Sequence, residues 1–536
     1  YAAGSKPATE QKEGASEPSQ VKVISRLKFR MDGVGYYGDK RTHLFVIPAD
    51  GSAKARQLTS GDFDHQFPTW APDGKALYCT ALRRPDADDL NRSDIWRVAV
   101  ATGETELVWE NAGPVWGLKA APDGRHLLFG GHENQHEGST TPELLILPLG
   151  HDGLAAGVAV SLTHKLDRPI GPAGTSDLRA MPMFSSGEWA SDGKGAYFLL
   201  GARGDSNLWY TPIEGGEPIQ LTRYVDRTVA DFSLAADGKI ALIIGDGVNP
   251  DDIFLFAKGD SRRLTDHNPI ARELALVVPE RFTYEGAGGR QMDGWLMRPA
   301  DYEPGRRYPT VLSIHGGPHG AYGSGLMVYF QALAGAGFAV IYTNPRGSQT
   351  YGQQFALDVV GDWGGQDFVD IMNGVDAAVA TGVVDPERLG VMGWSYGGFM
   401  TSWTVTQTDR FKAAIAGAPV VNRYNFIGTS DIPWFMEHQG GGSNPWGEDG
   451  GAQLLERSPI RYANRVTTPT MVVCGEGDLR CPIEQAEQFY VALKRIGKAP
   501  TVHIRYPGEY HGVARPEHKL DRYERTVAWF RHYLTK

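Results

Sequence analysis

Ser395, Asp478 and His511 occur in that chain order, 83 and 33 residues apart. A hydroxyl is a weak nucleophile until a base takes its proton. An imidazole does so well when a carboxylate fixes its tautomer and balances its charge. Ser395 lies in Gly393-Trp394-Ser395-Tyr396-Gly397, a G-x-S-x-G pattern. That pattern requires a strand, a sharp turn and a helix in succession. "RLGVM" before it and "GGFMTSWTVTQ" after it supply the strand and the helix. The turn is expected to present the hydroxyl beside the positive end of a helix dipole. Asp478 ends the apolar run "TMVVCGEGD", and Glu476 is the rival acid, set nearer the strand end. His511 follows the run "TVHIRYPGEY"; His503 within that run is expected to pack or to lie at the surface, and His518 to be solvated at the start of the last helix.

Acyl transfer also needs donors for a developing oxyanion. The backbone N–H of Tyr396, directly after the serine, is one candidate. The second is expected in "HGGPHG", residues 315–320, where Gly317 is the candidate donor. Its glycines allow close backbone approach, although a plain Gly-Pro turn would use the same residues.

Several elements must hold these groups. From about residue 270 the chain alternates apolar strands with helical stretches: "TVLSIHGGP", "FAVIYTNPRG", "RLGVMGWS", "KAAIAGAPV", "TPTMVVCGEGD" and "TVHIRYPGEYH". Near-continuous apolar strands are buried on both faces, which means a parallel sheet covered by helices. Functional groups in such sheets gather beyond the carboxyl ends of the strands. "AEQFYVALKRIG" reads as a helix with a Gly stop and "RYERTVAWFRHYLTK" as the closing helix.

The first half has another rhythm. "FPTWAPDGKALYCTA", "GLKAAPDGRHLLFGG", "GEWASDGKGAYFLLG" and "FSLAADGKIALIIGD" each place an Asp-Gly turn between two apolar strands. The Asp residues fall at 73, 123, 192 and 237. Each hairpin is followed by a strand, a turn and often Leu-Thr. Units of about 40 to 50 residues with four short strands have the size of propeller blades. Five blade-like units are readable between about Val21 and Thr265, and "HKLDRPIGPAGTSDLRAMP" reads as an inserted loop. A β-sandwich is disfavoured because the units resemble one another closely. The expected architecture is a flexible polar segment over 1–20, a β-propeller over 21–268 and an α/β-hydrolase domain over 269–536.

Composition excludes several classes. The chain has 536 residues, 53 Lys and Arg against 63 Asp and Glu, and a net charge of −10, which argues against nucleic acid and anionic membranes as partners. No apolar run reaches the roughly 20 residues of a membrane helix. Three cysteines, Cys79, Cys474 and Cys481, cannot all pair, which favours a reducing, cytoplasmic location. No metal-binding spacing occurs, and neither a metal nor a cofactor is expected. Residue 1 is Tyr, as in a processed, tagged or truncated chain, and nothing there resembles a signal peptide. Sheet edges near "HGGP" are expected to allow self-association into a homo-oligomer.

In chain order, "HGGPHG", "NPRGSQTYGQQF", "GDWGGQDFVD", "GWSYGGFMT", "TSDIPWF", "SPIRYANRVTTPTMVVCGEGDLRCPIEQAEQFYVALK" and "YPGEYHG" resemble the prolyl oligopeptidase family of serine peptidases, closest to its acylaminoacyl-peptidase branch. The resemblance covers the second half and, more loosely, the repeats. It implies the triad Ser395, Asp478 and His511, and hydrolysis of short peptides with a propeller covering the active site and excluding folded proteins. The chain departs from the family in three ways. Relatives usually have seven blades where five are readable, so the first blades are absent from this chain or the propeller is smaller. They open with a segment packed on the hydrolase domain, and none is evident. Some branches use a Tyr hydroxyl where this chain has His315, so the oxyanion role passes to backbone.

Phe426, Ile427, Trp434 and Phe435 are the candidates for an apolar pocket, with ordinary core packing as the alternative. Arg423 beside them is a candidate for a peptide carbonyl or a free carboxylate, held bidentately, against a surface ion pair. A carboxylate there would make the enzyme a carboxypeptidase. Arg83 and Arg84 in a propeller loop are candidate helpers, against plain solvation. The reading is therefore a serine peptidase of short peptides. An esterase of small acyl esters and a non-catalytic propeller scaffold are the alternatives.

Overall fold

The four Asp-Gly turns fold alike because each solves the same local problem. In the computed structural model, which describes residues 21–38, 40–178 and 186–536, Gly74, Gly124, Gly193 and Gly238 all have φ between 67° and 81°. The preceding Asp carboxylates accept the N–H of Lys75, Arg125, Lys194 and Lys239 at 2.9 to 3.2 Å. Each turn therefore closes on its own side chain, and the flanking strands pair antiparallel. The expected flexible segment 1–20 and residues 179–182 of the expected inserted loop lie outside the described residues.

Contacts divide the chain into two compact units. The first holds the described residues up to His164, with 186–198 and Tyr210–Ile219. Within it, strands Gln66–Trp70, Ala76–Ala81, Asp94–Ala99 and Thr105–Trp109 form one four-stranded antiparallel blade. Strands Val115–Ala120, His126–Gly131, Glu143–Pro148 and Val160–Ser161 form another. Leu127, Phe129, Leu145 and Leu147 alternate along the strands of the second blade and meet Tyr78 and Ile95 of the first in one core. Arg83 stacks on Trp96 at 4.6 Å and Arg84 donates to Asp86, so both serve this unit locally.

The second unit holds Lys165 to residue 178, Leu199–Trp209 and Gln220–Lys536. Its strands Arg227–Leu234, Ile240–Asp246, Asp252–Ala257 and Asp260–Arg263 are antiparallel. Its centre is an eight-stranded sheet: β1 (Glu280–Glu285), β2 (Gln291–Met297), β3 (Tyr308–Ile314), β4 (Ala339–Asn344), β5 (Val384–Trp394), β6 (Phe411–Gly417), β7 (Thr470–Gly475) and β8 (Thr501–Tyr506). The order is β1-β2-β4-β3-β5-β6-β7-β8, parallel from β4 onward. Leu312, Val391 and Val472 point into one core. Val311, Met392 and Met471 point into the other. This alternation explains why each strand reads as an unbroken apolar run.

The structure corrects one expectation. The strand before "HGGP" is central, paired with β4 and β5, so no sheet edge lies there; the open edges are β1 and β8. The expected inserted loop is tied down within the second unit. Asp177 accepts the N–H of Val328 (2.9 Å) and Tyr329 (2.8 Å), capping the helix Val328–Gly335 from far away in sequence. Among the described residues, no helix is long and apolar enough to cross a membrane.

Candidate active site

Ser395 stands where β5 becomes the helix Tyr396–Gln407, with φ 64° and ψ −120°. Only a few residues tolerate a positive φ, and here the surroundings impose it. The motif's glycines have specific neighbours. A Cβ at Gly393 would lie 2.4 Å from the carbonyl oxygen of Gly397, and one at Gly397 would lie 2.1 Å from that of Ile314. The turn is thus clamped between its own helix and the end of β3. Ser395 N–H donates to Gly417 O at 3.0 Å, and Phe399 N–H donates to Ser395 O at 2.9 Å.

Asp478 is buried beyond β7 and accepts at both oxygens. Oδ1 receives Cys481 N–H (2.7 Å), and Oδ2 receives Nδ1–H of His511 (2.8 Å). Glu476, the rival acid, turns instead to Arg505 at 2.9 Å. His511 is carried by the loop after β8 and is held from behind, because Trp394 Nε1–H donates to its backbone oxygen at 2.8 Å. A Cβ at Gly475 would meet Tyr510 O at 2.3 Å, so glycine is needed where the acid and histidine loops pass. Glu509 accepts Ala514 N–H (2.9 Å), Arg515 N–H (3.1 Å) and His518 Nδ1–H (2.6 Å). His518 is therefore tied to the His511 loop rather than simply solvated. His503 packs within β8, with Nε2 3.4 Å from the Cys474 sulfur.

Cys481 was not expected at the site. Its sulfur lies 3.9 Å from Ser395 Oγ and hydrogen-bonds the His511 ring. Burial opposes the charging of His511, but Cys481 and Asp478 outweigh it and hold the imidazole well above its usual pKa. Burial also pushes the Cys481 thiol up. A cysteine three residues past the acid was visible in the sequence; its return to the serine depends on the turn between them.

The loop 315–320 comes against the serine: a Cβ at Gly316 would lie 3.3 Å from Ser395 Cβ and 4.0 Å from its Oγ. Gly317, the next residue, is exposed with φ 127°, and Tyr396 opens the helix after the serine. Phe426 and Ile427 lie in the main core at 2% and 1% exposure, whereas Trp434 and Phe435 are partly exposed. Phe435 meets the ring of His319 edge-on at 6.1 Å, beside that loop.

Arg423 is neither a surface ion pair nor an open ligand-binding group. It is 1% exposed, its guanidinium lies on Trp363 at 4.9 Å, and it donates to Gln439 O at 3.1 Å. Its helix, Arg423–Thr429, turns the residue inward, which neighbouring composition does not reveal. Arg480, two residues past Asp478, forks onto Asp431 at 2.7 and 3.2 Å.

Residues 325–536 match the prolyl oligopeptidase family. The uncharacterized peptidase YuxL of Bacillus subtilis (strain 168) is 34% identical over 532 residues, covering 97% of this chain and 78% of that protein. Dipeptidyl-peptidase 5 of Porphyromonas gingivalis is 28% identical over 479 residues, covering 87% of this chain and 67% of that protein. The solved acylaminoacyl peptidase of Pyrococcus horikoshii superposes with a TM-score of 0.81 at 26% identity, over 97% of this chain and 78% of that one.

Proposed function

The chain belongs to the prolyl oligopeptidase family of serine peptidases, and from that premise we propose that Ser395, Asp478 and His511 are its catalytic triad. The protein is a serine-type peptidase acting on peptides, with a β-propeller and an α/β-hydrolase domain. The observation that carries the triad is the 2.8 Å bond from His511 Nδ1 to a buried Asp478 oxygen, on loops that meet the strained Ser395 turn. In this reading Ser395 Oγ attacks the peptide carbonyl while His511 Nε2 takes its proton. The proton then goes to the leaving amine, and a water repeats the sequence on the acyl-enzyme. The N–H groups of Tyr396 and Gly317 receive the oxyanion. Trp434 and Phe435 line the side-chain pocket, with Phe426 and Ile427 packed beneath.

The substrate reading is release of an N-acylated residue from a short peptide, as the likeness to an acylaminoacyl peptidase suggests. A dipeptidyl reading stands second, favoured by the 28% identical relative. The carboxypeptidase reading loses its support because Arg423 is buried. Three buried free thiols suit a cytoplasmic location.

Ser395→Ala tests the chemistry: peptidase activity should fall by about 10⁶, and survival of activity would remove the triad. Acetyl-Ala, Ala and Ala-Ala p-nitroanilides test the terminus. The acetylated substrate should be preferred by kcat/KM; preference for the free dipeptide would replace this reading with the dipeptidyl one.

A further inference from the structure

Gln439 closes the helix Pro433–Gln439 and is 0% exposed. An amide buried this deeply must use its donors and acceptors, and this one does so in one direction. Its Oε1 accepts Trp363 Nε1–H at 3.0 Å, and its Nε2 lies 2.8 Å from His319 Nε2. Its backbone oxygen accepts Arg423 at 3.1 Å and Gly361 N–H at 3.0 Å. His319 Nδ1 lies 2.8 Å from Gly347 O, an acceptor only, so Nδ1 carries the proton and Nε2 receives the Gln439 amide. Burial keeps this ring neutral, with its pKa pushed down to about 4, so the tautomer is fixed.

His319 is two residues beyond Gly317, in the loop whose Gly316 touches Ser395. At the far end of the chain of contacts, Trp363 meets the Tyr396 ring edge-on at 4.9 Å. The Tyr396 hydroxyl donates to Asp367 at 2.5 Å. Thus one buried network grips both residues to which the oxyanion N–H groups are assigned. Tyr396 is held through Trp363 and Asp367, and the Gly317 loop through His319. Neither grip runs through a triad residue, and His319 also meets the pocket residue Phe435 edge-on at 6.1 Å.

We propose that Gln439 and His319 are positioning residues that set the Gly317 loop in register with Tyr396, so that both N–H groups converge on one oxyanion. The proposal rests on the triad reading given above. Its energetic logic is that donors aimed in advance cost no reorganisation in the transition state, and that a misplacement near 1 Å is worth about 10² in rate.

The test compares Gln439→Leu, His319→Leu and His319→Gln with the unaltered protein. Each is assayed on a peptide p-nitroanilide and titrated with a peptide aldehyde, whose adduct with Ser395 bears the oxyanion, and with the matching product peptide, which bears none. Both Leu variants should lose about 10² in kcat with KM within about threefold. Aldehyde affinity should fall by a like factor, and product affinity should hold. His319→Gln, whose amide can donate to Gly347 O and accept from Gln439, should recover to within about tenfold. Unchanged aldehyde affinity, or equal losses for aldehyde and product, would overturn the proposal by leaving Gln439 a packing residue. Should Gln439→Leu fail to fold, the two His319 variants at their partly exposed loop position make the same comparison. Ser395→Ala alongside separates the two failures. Activity surviving there removes the triad, whereas its loss with full aldehyde binding in the Leu variants removes only the relay.

Discussion

At the scale of single residues, His511 decides the pH behaviour. A general base must be neutral to accept a proton, and this ring's pKa lies well above 6.5 because Cys481 and Asp478 together outweigh the burial that opposes its charge. Activity should therefore decline on acidification from a midpoint above 6.5, and an acidic midpoint at or below 6.5 in kcat/KM would refute this. Asp478→Asn should lower the midpoint and cut kcat by about 10⁴. The same raised pKa stabilises the fold below pH 6.5, and that contribution is lost as pH rises through the folded value. Asp367 carries a second sign. Burial raises its carboxyl to about 6 despite donors from Tyr396, Gly364 and Phe368. Its contribution to stability is full below 3.8 and is lost as pH rises through about 6. Ionised, it is the opposing charge for buried Arg423, whose own pKa burial lowers to about 10. Asp367→Asn removes this titration, so its cost in urea unfolding should be greater at pH 5 than at pH 8, by about 1 kcal/mol. An equal cost at both values would show that the charge is not what matters. Arg423 also marks a limit of sequence reasoning: an Arg beside aromatic residues has the same composition whether its helix turns it to a ligand or to Trp363.

At the scale of elements, the legible parts were those that local chemistry fixes. Four Asp-Gly turns are each closed by their own Asp, and the Ser395 turn is closed by glycines whose missing Cβ atoms leave room for specific carbonyls. The stop at Gly497, with φ 72°, ends the helix Ile483–Ile496 as "RIG" suggests. Gly397→Ala tests the closure of the elbow. Its Cβ would stand 2.1 Å from Ile314 O, so the end of β3 must shift and carry the Gly317 loop with it. A loss of at least about 10² in kcat is expected, and near-native kinetics would refute the clamp. Elements fixed by distant partners were not legible. The loop at 164–182 shows no local sign that Asp177 caps a helix 151 residues away. Asp177→Ala should cost about 1 to 2 kcal/mol by thermal unfolding, with the Tyr523 hydroxyl at 3.0 Å also losing its acceptor.

At the scale of the whole molecule, sequence rhythm changes once, near residue 268, while the compact units take alternating stretches of chain. The reason lies in partners that the second unit draws from before that point. Asp293 in β2 is 0% exposed and accepts Arg203 (2.7 Å), Arg281 (2.9 Å) and the Tyr351 hydroxyl (2.8 Å). Arg281 also reaches Asp205 at 3.2 Å, and Ser324 donates to Asp205 at 2.7 Å. At Gly323 a Cβ would lie 2.0 Å from Gly204 O, so the backbones there touch directly. A polypeptide of residues 269–536 keeps every triad residue but loses Arg203, Asp205 and the Asp177 cap. It leaves a buried carboxylate short of one cation, which is among the costlier single losses a fold can take. Produced alone, it should unfold at a lower temperature than the whole chain and hydrolyse p-nitrophenyl acetate more slowly. That small ester is the right probe because its access does not depend on any screening of peptides. Full esterase activity and an unchanged Tm in the shortened chain would mean that β1 to β8 carry their own stability and that the contacts to Arg203, Asp205 and Asp177 add none.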